Sequence, residues 1–197
     1  HDQSSAASDV YKRQGETLGA LSVTDLAIFR KHYSQLMKSH IQVSSPDLRL
    51  KKEDESIKEF TLNKIKELEE LFENKSDVIS SLILEPLVQC ASGMGIYNKL
   101  YLKEARRLCN EYNIHLIADE IAVGFGRTGK LFAHQHTNIK PDFLCLSKGL
   151  TGGYLPLSVS LTKKHIFKAF YHNEKERGFL HCHSYTCLLY TSDAADD

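Results

Sequence analysis

Apolar residues recur along the middle of the chain at two spacings, one typical of helices and one typical of buried strands. From Ser56 to Asn74 they return about every 3.6 residues, with lysine and glutamate at most other positions, which predicts an amphipathic helix. The same periodicity predicts a second helix from Asn98 to Asn113 and a shorter one from Lys163 to Tyr171.

Short apolar runs between these helices predict strands at 78–84, 114–118, 143–146 and near 157–161. The first strand ends at Glu85-Pro86 because proline cannot donate to a central sheet ladder. Strands that alternate with helices favour a mostly parallel sheet. The pattern therefore predicts an α/β fold, a three-layer sandwich, with the polar stretch 39–55 as an exposed loop.

Composition narrows the function classes. The 25 basic and 25 acidic side chains cancel, so we expect neither a nucleic-acid partner nor a membrane surface. No apolar run approaches the roughly 18 residues that span a bilayer, and the pattern of a secretory leader is not recognised, so we do not expect secretion. The five cysteines form no CxxC pair. This favours reduced thiols in a cytoplasmic protein.

Two charged residues directly follow predicted strands. Asp119 comes after the strand 114–118, and Lys148 comes shortly after the strand 143–146. Ligands of α/β sheets bind outside the carboxyl ends of the strands, so this acid and this amine are expected to meet around one ligand. The pair suits pyridoxal phosphate, where a lysine forms a Schiff base with the aldehyde and an acid keeps the ring nitrogen protonated.

The glycine run from Gly124 to Gly129 matches GxGxxG, and its extension to Lys130 matches GxxxxGK. Both nucleotide-binding motifs need the last glycine to open a helix. The segment 130–141 is too short and poorly patterned for that helix, and Leu131 stands where a P-loop needs serine or threonine. We predict an irregular loop at the edge of the site. A nucleotide-binding domain is the less favoured alternative.

Two long segments resemble class III, PLP-dependent aminotransferases. Asp119–Gly129 is similar to the signature loop of that family, and Leu146–Leu157 is similar to its Schiff-base lysine segment, in the same order and spacing. The resemblance covers residues 15–186. It implies a partial large domain of the PLP-transferase fold type I, with pyridoxal 5'-phosphate as cofactor and a homodimer in the complete enzyme. Shorter similar segments are Gly15–Ser22, Leu84–Gln89 and His181–Thr186.

The resemblance also implies roles around the cofactor ring. Lys148 would carry the cofactor and then act as the base that shuttles a proton between the substrate and the cofactor. Asp119 would pair with the protonated ring nitrogen. Ile121 would pack against the ring face.

Other roles concern the phosphate and the substrate. Thr186, together with the backbone of Tyr185, resembles the element that reaches the phosphate bound by the partner subunit. Ser184 would lie beside the substrate. Arg127 would recognise a carboxylate or pair with Glu85.

Within the family, Ala122 and the segments Glu85–Gln89 and His181–Thr186 resemble the members that serve biotin biosynthesis. This implies transfer of an amino group from S-adenosylmethionine to 8-amino-7-oxononanoate, which gives 7,8-diaminononanoate. Another class III enzyme with lysine or an ω-amino acid as amino donor is the alternative.

The two ends lack the family pattern. We predict that residues 1–14 and 187–197 are non-native or disordered, which leaves 15–186 as the partial large domain. Arg13-Gln14 stands where the family has an aromatic-histidine pair, and Val123 replaces a more usual threonine. An inactive fragment is therefore a further alternative. No second ligand pair accompanies His181 and His183, so we predict no metal site.

Overall fold

A mostly parallel sheet organises the chain. The structure is a computed structural model that describes residues 18–23, 33–36, 40–155 and 157–179. Four strands form one sheet in the order β1-β4-β5-β6, and β2 pairs with β3 in a separate antiparallel hairpin. The strands are β1 (Ser81–Leu84), β2 (Val88–Gln89), β3 (Gly95–Ile96), β4 (His115–Asp119), β5 (Phe143–Leu146) and β6 (Val159–Thr162).

The central strands run in the same direction. Strand β1 pairs in parallel with β4, and β4 pairs in parallel with β5. The chain divides into one unit that ends at Leu161 and a second that begins at Thr162. The helices are α1 (Leu18–Val23), α2 (Ile57–Lys75) and α3 (Lys99–Glu111) in the first unit and α4 (Lys164–Phe170) in the second.

Local hydrogen bonds explain where α2 and α3 begin. Ser56 and Glu59 form a reciprocal capping box, in which each side chain accepts a hydrogen bond from the backbone N–H of the other residue, at 3.1 and 2.9 Å. At the start of α3, Asn98 Oδ1 accepts from the Leu100 N–H at 2.9 Å. Each cap satisfies an N–H group that has no partner inside the helix.

The main core lies between these two helices and one face of the sheet. Leu68 of α2, Leu102 and Leu108 of α3 and Leu116 of β4 are fully buried. They belong to one continuous apolar cluster. Because successive side chains of a strand point to opposite faces, the neighbouring strand positions Ile83, Ile117, Phe143 and Cys145 form a second cluster on the other face. Ile121, two residues beyond β4, belongs to the same cluster.

The predicted fold class is confirmed for the residues that the structure describes. The fold is α/β with a mostly parallel sheet, and the predicted helices are present with ends that differ by one or two residues. Strand β1 is shorter than the predicted strand 78–84, because the turn that follows α2 includes Val78 and the strand begins only at Ser81. None of the helices among residues 18–23, 57–75, 99–111 and 164–170 combines the length and apolar character that crossing a bilayer requires.

The prediction of an exposed loop at 39–55 is wrong at its centre. Pro46 and Asp47 are buried. Arg49 donates hydrogen bonds to the Asp47 carboxylate and to the carbonyl oxygens of Ser92 and Gly93, the latter two at 2.7 and 2.9 Å. These contacts join the loop to the connection between β2 and β3, a partner 43 or 44 residues away that local polarity does not indicate.

Acid should weaken this attachment. The hydrogen bond from Arg49 lowers the pKa of Asp47, although burial acts in the opposite direction. A carboxylate with a lowered pKa stabilises the fold above its unfolded pKa of about 3.9 and loses that contribution as pH falls through the folded pKa. We expect Asp47→Asn to cost about 1 kcal/mol at pH 7, since Arg49 is half exposed, and close to nothing near pH 2.

Urea unfolding of the two proteins at pH 7 and at low pH measures this difference. The exposed Asp54→Asn is the matched control. An Asp47→Asn difference that stays constant with pH would contradict the assignment.

Candidate active site at the carboxyl edge of the sheet

Three polar residues follow three adjacent parallel strands. Glu85 comes directly after β1, Asp119 ends β4, and Lys148 lies two residues beyond β5. Leu84 is in register with Ala118, and Asp119 is in register with Cys145. Neighbouring strands lie about 4.8 Å apart. The structure therefore brings the three residues to one edge of the sheet, which the parallel pattern predicts.

Asp119 is buried, with 3% of its surface exposed. Its Oδ1 accepts a hydrogen bond from the Ile121 N–H at 3.1 Å, which orients the carboxylate at the strand end. Ile121 is buried in the same apolar cluster as Ile117 and Cys145. The site thus has an acidic group on an apolar floor.

Lys148 has an unusual backbone. Its φ is +34°, in the left-handed region, at the start of the 3₁₀ turn Lys148–Leu150. A non-glycine residue in a sparsely populated region costs on the order of 1–3 kcal/mol and persists where its surroundings enforce it. The preceding Ser147 is buried, and its hydroxyl donates to the Leu157 carbonyl at 2.9 Å.

The side chain of Lys148 is exposed at this edge. The amine is therefore accessible to a ligand from solvent, while Ser147 anchors the backbone behind it.

Cys90 lies among the charged residues of the site. Its N–H donates to Glu85 Oε2 at 3.0 Å. Burial raises the pKa of the Cys90 thiol and Glu85 adds to the increase, whereas the charges of Lys148 and Arg127 act in the opposite direction. The thiol is thus neutral at pH 7. Glu85, Arg127 and Lys148 thus all act electrostatically on this thiol.

Two neighbours of Glu85 were not predicted to be part of the site. Cys90 was expected only to be a reduced thiol, and Tyr97 was given no role. Tyr97 is buried, and its hydroxyl donates to the Glu85 carbonyl oxygen at 2.7 Å. Burial raises the pKa of this phenol, so it stays protonated as a donor. The position of Cys90 directly after the family-like segment Leu84–Gln89 was the available signal.

Glu120 is another residue whose part was missed. It is fully buried. Its carboxylate accepts hydrogen bonds from the backbone N–H groups of Ala133 and His134, both at 2.7 Å, and contacts His134 Nδ1 at 2.9 Å. A buried carboxylate needs such partners. Glu120 therefore holds the 3₁₀ turn Ala133–His136 against the end of β4.

The glycine run forms an irregular loop, as predicted. Gly126 and Gly129 have φ values of +91° and +90°, which favour glycine. The Gly126 N–H donates to the Leu131 carbonyl at 3.2 Å. Residues 130–142 contain the turn Ala133–His136 and no α-helix, so the helix that both nucleotide motifs require is absent from this segment.

Some predicted site residues cannot be placed. Ser184, Tyr185 and Thr186 lie outside the described residues, as do His181 and His183. Within the described ranges, no group of three histidine, cysteine, aspartate or glutamate side chains is arranged to hold a metal ion.

Comparison with known proteins shows the relationships of the chain. The family model Aminotransferase class-III matches residues 10–186. The adenosylmethionine-8-amino-7-oxononanoate aminotransferase of Helicobacter pylori is 49% identical over 87% of this chain, and that of Staphylococcus aureus is 42% identical over the same share. The chain spans 38% of the length of each of these relatives.

Solved transaminases share the fold. The omega transaminase of Pseudomonas jessenii in complex with PMP has a TM-score of 0.72 and 31% identity, over 78% of this chain and 34% of that protein. An omega-transaminase of Thermomicrobium roseum has a TM-score of 0.77 and 30% identity, over 86% and 37%. The prediction of PLP-transferase fold type I is confirmed. By sequence and by fold, the chain belongs to the class III aminotransferase family.

Proposed function

We propose that this chain is part of the large domain of an enzyme that transfers an amino group from S-adenosylmethionine to 8-amino-7-oxononanoate. The product is 7,8-diaminononanoate, an intermediate of biotin biosynthesis. The observation that carries the proposal is the placement of Glu85, Asp119 and Lys148 at one sheet edge, in a chain 49% identical to the Helicobacter pylori enzyme of that name.

Pyridoxal 5'-phosphate fits this edge. A buried carboxylate and an accessible amine follow adjacent strands, as a ligand with an aldehyde and a basic ring nitrogen requires. The Pseudomonas jessenii relative is described in complex with PMP, which supports a cofactor of this class. When bound, the cofactor supplies an electron sink for the carbon from which the proton is removed.

The residues of this chain have distinct parts in the proposal. Lys148 attaches the cofactor through its amine and later moves the proton at the substrate carbon that bears the amino group. The Asp119 carboxylate holds the proton on the ring nitrogen. Ile121 extends the apolar floor beneath the ring.

Substrate recognition is proposed for Arg127 and Glu85. Arg127 is exposed, and its planar guanidinium can bind a substrate carboxylate in two parallel hydrogen bonds. Glu85 is only partly buried. Its position is fixed by hydrogen bonds from the Cys90 N–H to its carboxylate and from the Tyr97 hydroxyl to its backbone carbonyl. The Glu85 carboxylate would receive the positively charged amino donor, and the Arg127 guanidinium would receive the carboxylate of the acceptor.

The resemblance supports further proposals. Ser184 contacts the substrate, and Tyr185 and Thr186 contact the cofactor phosphate of the partner subunit in a homodimer. We further propose a cytoplasmic location and keep 15–186 as the partial large domain, with 1–14 and 187–197 outside it.

The choice of amino donor tests the function. Purified full-length protein loaded with pyridoxal 5'-phosphate should convert 8-amino-7-oxononanoate to 7,8-diaminononanoate with S-adenosylmethionine, as measured by mass spectrometry. L-Lysine and an ω-amino acid at equal concentration should give little product. Product formed with either of these donors, and none with S-adenosylmethionine, would favour the alternative function that the sequence left open.

A further inference from the structure

Phe125 lies directly against the backbone of Gly149, the residue that follows Lys148. A methyl group built at Gly149 would lie 2.6 Å from Phe125 Cδ2 and 2.7 Å from Phe125 Cβ. Atoms that are not bonded do not approach so closely. Gly149 does not have the positive φ of Gly126 or Gly129. The contact with Phe125, and not the backbone conformation, therefore requires glycine at this position.

Both sides of this contact have a constrained backbone. Phe125 has a φ of +59° and Lys148 a φ of +34°. Residues with side chains keep such conformations only where their surroundings determine them. Phe125 packs against the residue that directly follows Lys148, so a change at this contact is expected to alter the direction of the Lys148 side chain.

The rings of Phe125, Phe132 and His134 form a row in which each ring packs against the next. The Phe125 ring meets Phe132 edge to face, with centroids 5.7 Å apart. Phe132 stacks on His134, with centroids 5.9 Å apart and planes within 9°. His134 Nδ1 in turn contacts the fully buried Glu120 carboxylate at 2.9 Å. The row therefore extends from the end of β4 to the segment after β5.

We propose that Phe125 is a positioning residue for Lys148. Its ring presses on Gly149 and so fixes the backbone that carries the reactive amine, and Phe132, His134 and Glu120 hold the ring in place. This inference rests on the proposed role of Lys148 in cofactor attachment. It assigns the signature loop a mechanical part that is separate from any contact of Arg127 with the substrate.

Variants that change the side-chain volume at Phe125 and at Gly149 test the contact in the full-length protein. Gly149→Ala adds a methyl that collides with Phe125, and Phe125→Gly removes the support and suits the positive φ. The double variant restores the space. Leu131→Ala is the matched control, because Leu131 lies next to the same loop and its side chain is exposed. The measurements are kcat, KM for both substrates, and the visible circular dichroism of the bound cofactor.

Each single variant should lower kcat by on the order of 100-fold, as a misplaced catalytic group does. The KM values should change by less than about threefold, since substrate recognition is assigned to the side chains of Arg127 and Glu85, which these variants keep. The cofactor dichroism should fall while the far-ultraviolet spectrum of the protein is unchanged. The double variant should recover most of kcat and of the dichroism, and Leu131→Ala should resemble the wild type.

Failure of the proposed function and failure of the positioning role of Phe125 would give different results. Wild-type protein that binds no pyridoxal phosphate would overturn the proposed function. Wild-type protein that binds it, with Phe125→Gly equal to wild type in kcat and dichroism, would overturn the positioning role alone. If Gly149→Ala does not fold, the double variant decides: recovery of folding and kcat supports the contact, and failure to recover either rejects it.

Discussion

Replacement of Lys148 by alanine is expected to abolish covalent attachment of the cofactor and to lower kcat by at least about 10³-fold. The variant loses both the amine that attaches the cofactor and the base that moves the proton, and a positioned base alone contributes about 10²–10⁴-fold. Lys148 is exposed, so its loss should leave the core intact. Treatment with borohydride, which fixes the cofactor to the lysine that holds it, followed by peptide mass spectrometry measures the attachment.

The matched control is Lys140→Ala, an exposed lysine located before β5. It should keep both the cofactor mass on the Lys148 peptide and the wild-type kcat. A cofactor that is still fixed by borohydride to another lysine of Lys148→Ala would reject the assignment of Lys148.

The second large effect concerns the stability of the sheet. Asp142→Ala should destabilise the region around β4 and β5 by about 3–5 kcal/mol. Arg106 Nη1 and Asp142 Oδ2 are 2.6 Å apart, and both side chains are about nine-tenths buried. The same oxygen accepts a hydrogen bond from the Leu116 N–H at 2.8 Å. Loss of the carboxylate leaves a buried cation and a buried amide without this partner.

Amide hydrogen exchange of β4 in the full-length protein measures the effect locally. Protection of the Leu116 amide should fall by at least about 100-fold, since 1.4 kcal/mol corresponds to a factor of ten. Arg107→Ala is the control, because this exposed arginine on the same helix pairs with Glu104 and Glu111 and should contribute only about 0–1 kcal/mol.

A replacement of the whole pair separates its charge from its packing. The double variant Arg106→Met/Asp142→Leu should regain part of the lost protection, because a buried ion pair is often no more stable than apolar side chains of similar size, while the Leu116 amide still lacks its acceptor. Equal exchange rates in Asp142→Ala and the wild type would contradict the structural role of the pair.

The elements that place the site follow from local patterns. Strand β5 has the predicted limits, and α2 begins at Ile57, one residue after the predicted start at Ser56. These features depend on residue periodicity and on caps within a few positions, which a sequence displays directly. The hairpin of β2 and β3 was missed because each strand has only two residues, too few to show an alternating pattern.

The site shows the same division. Asp119 and Lys148 were predictable, since each follows an apolar strand and parallel strands end at one edge. Glu120, Cys90 and Phe125 were not assigned a part in the site. Their roles depend on partners between 5 and 24 residues away, such as the backbone of His134 or of Gly149. The buried Asp47 was misplaced for a similar reason, because its neighbour Arg49 binds carbonyl groups more than 40 residues distant.

The amino-acid sequence by itself determined the α/β pattern, the family resemblance and the expectation that an acid, Asp119, and an amine, Lys148, meet at one edge of the sheet. The tertiary structure decided which side chains surround them, the burial of Glu120 and Asp142, and the contact of Phe125 with Gly149. The physical reason is the range of each interaction. Periodicity, capping and turn preferences act between near neighbours, whereas packing, desolvation and charge pairing depend on groups that only the folded chain brings together.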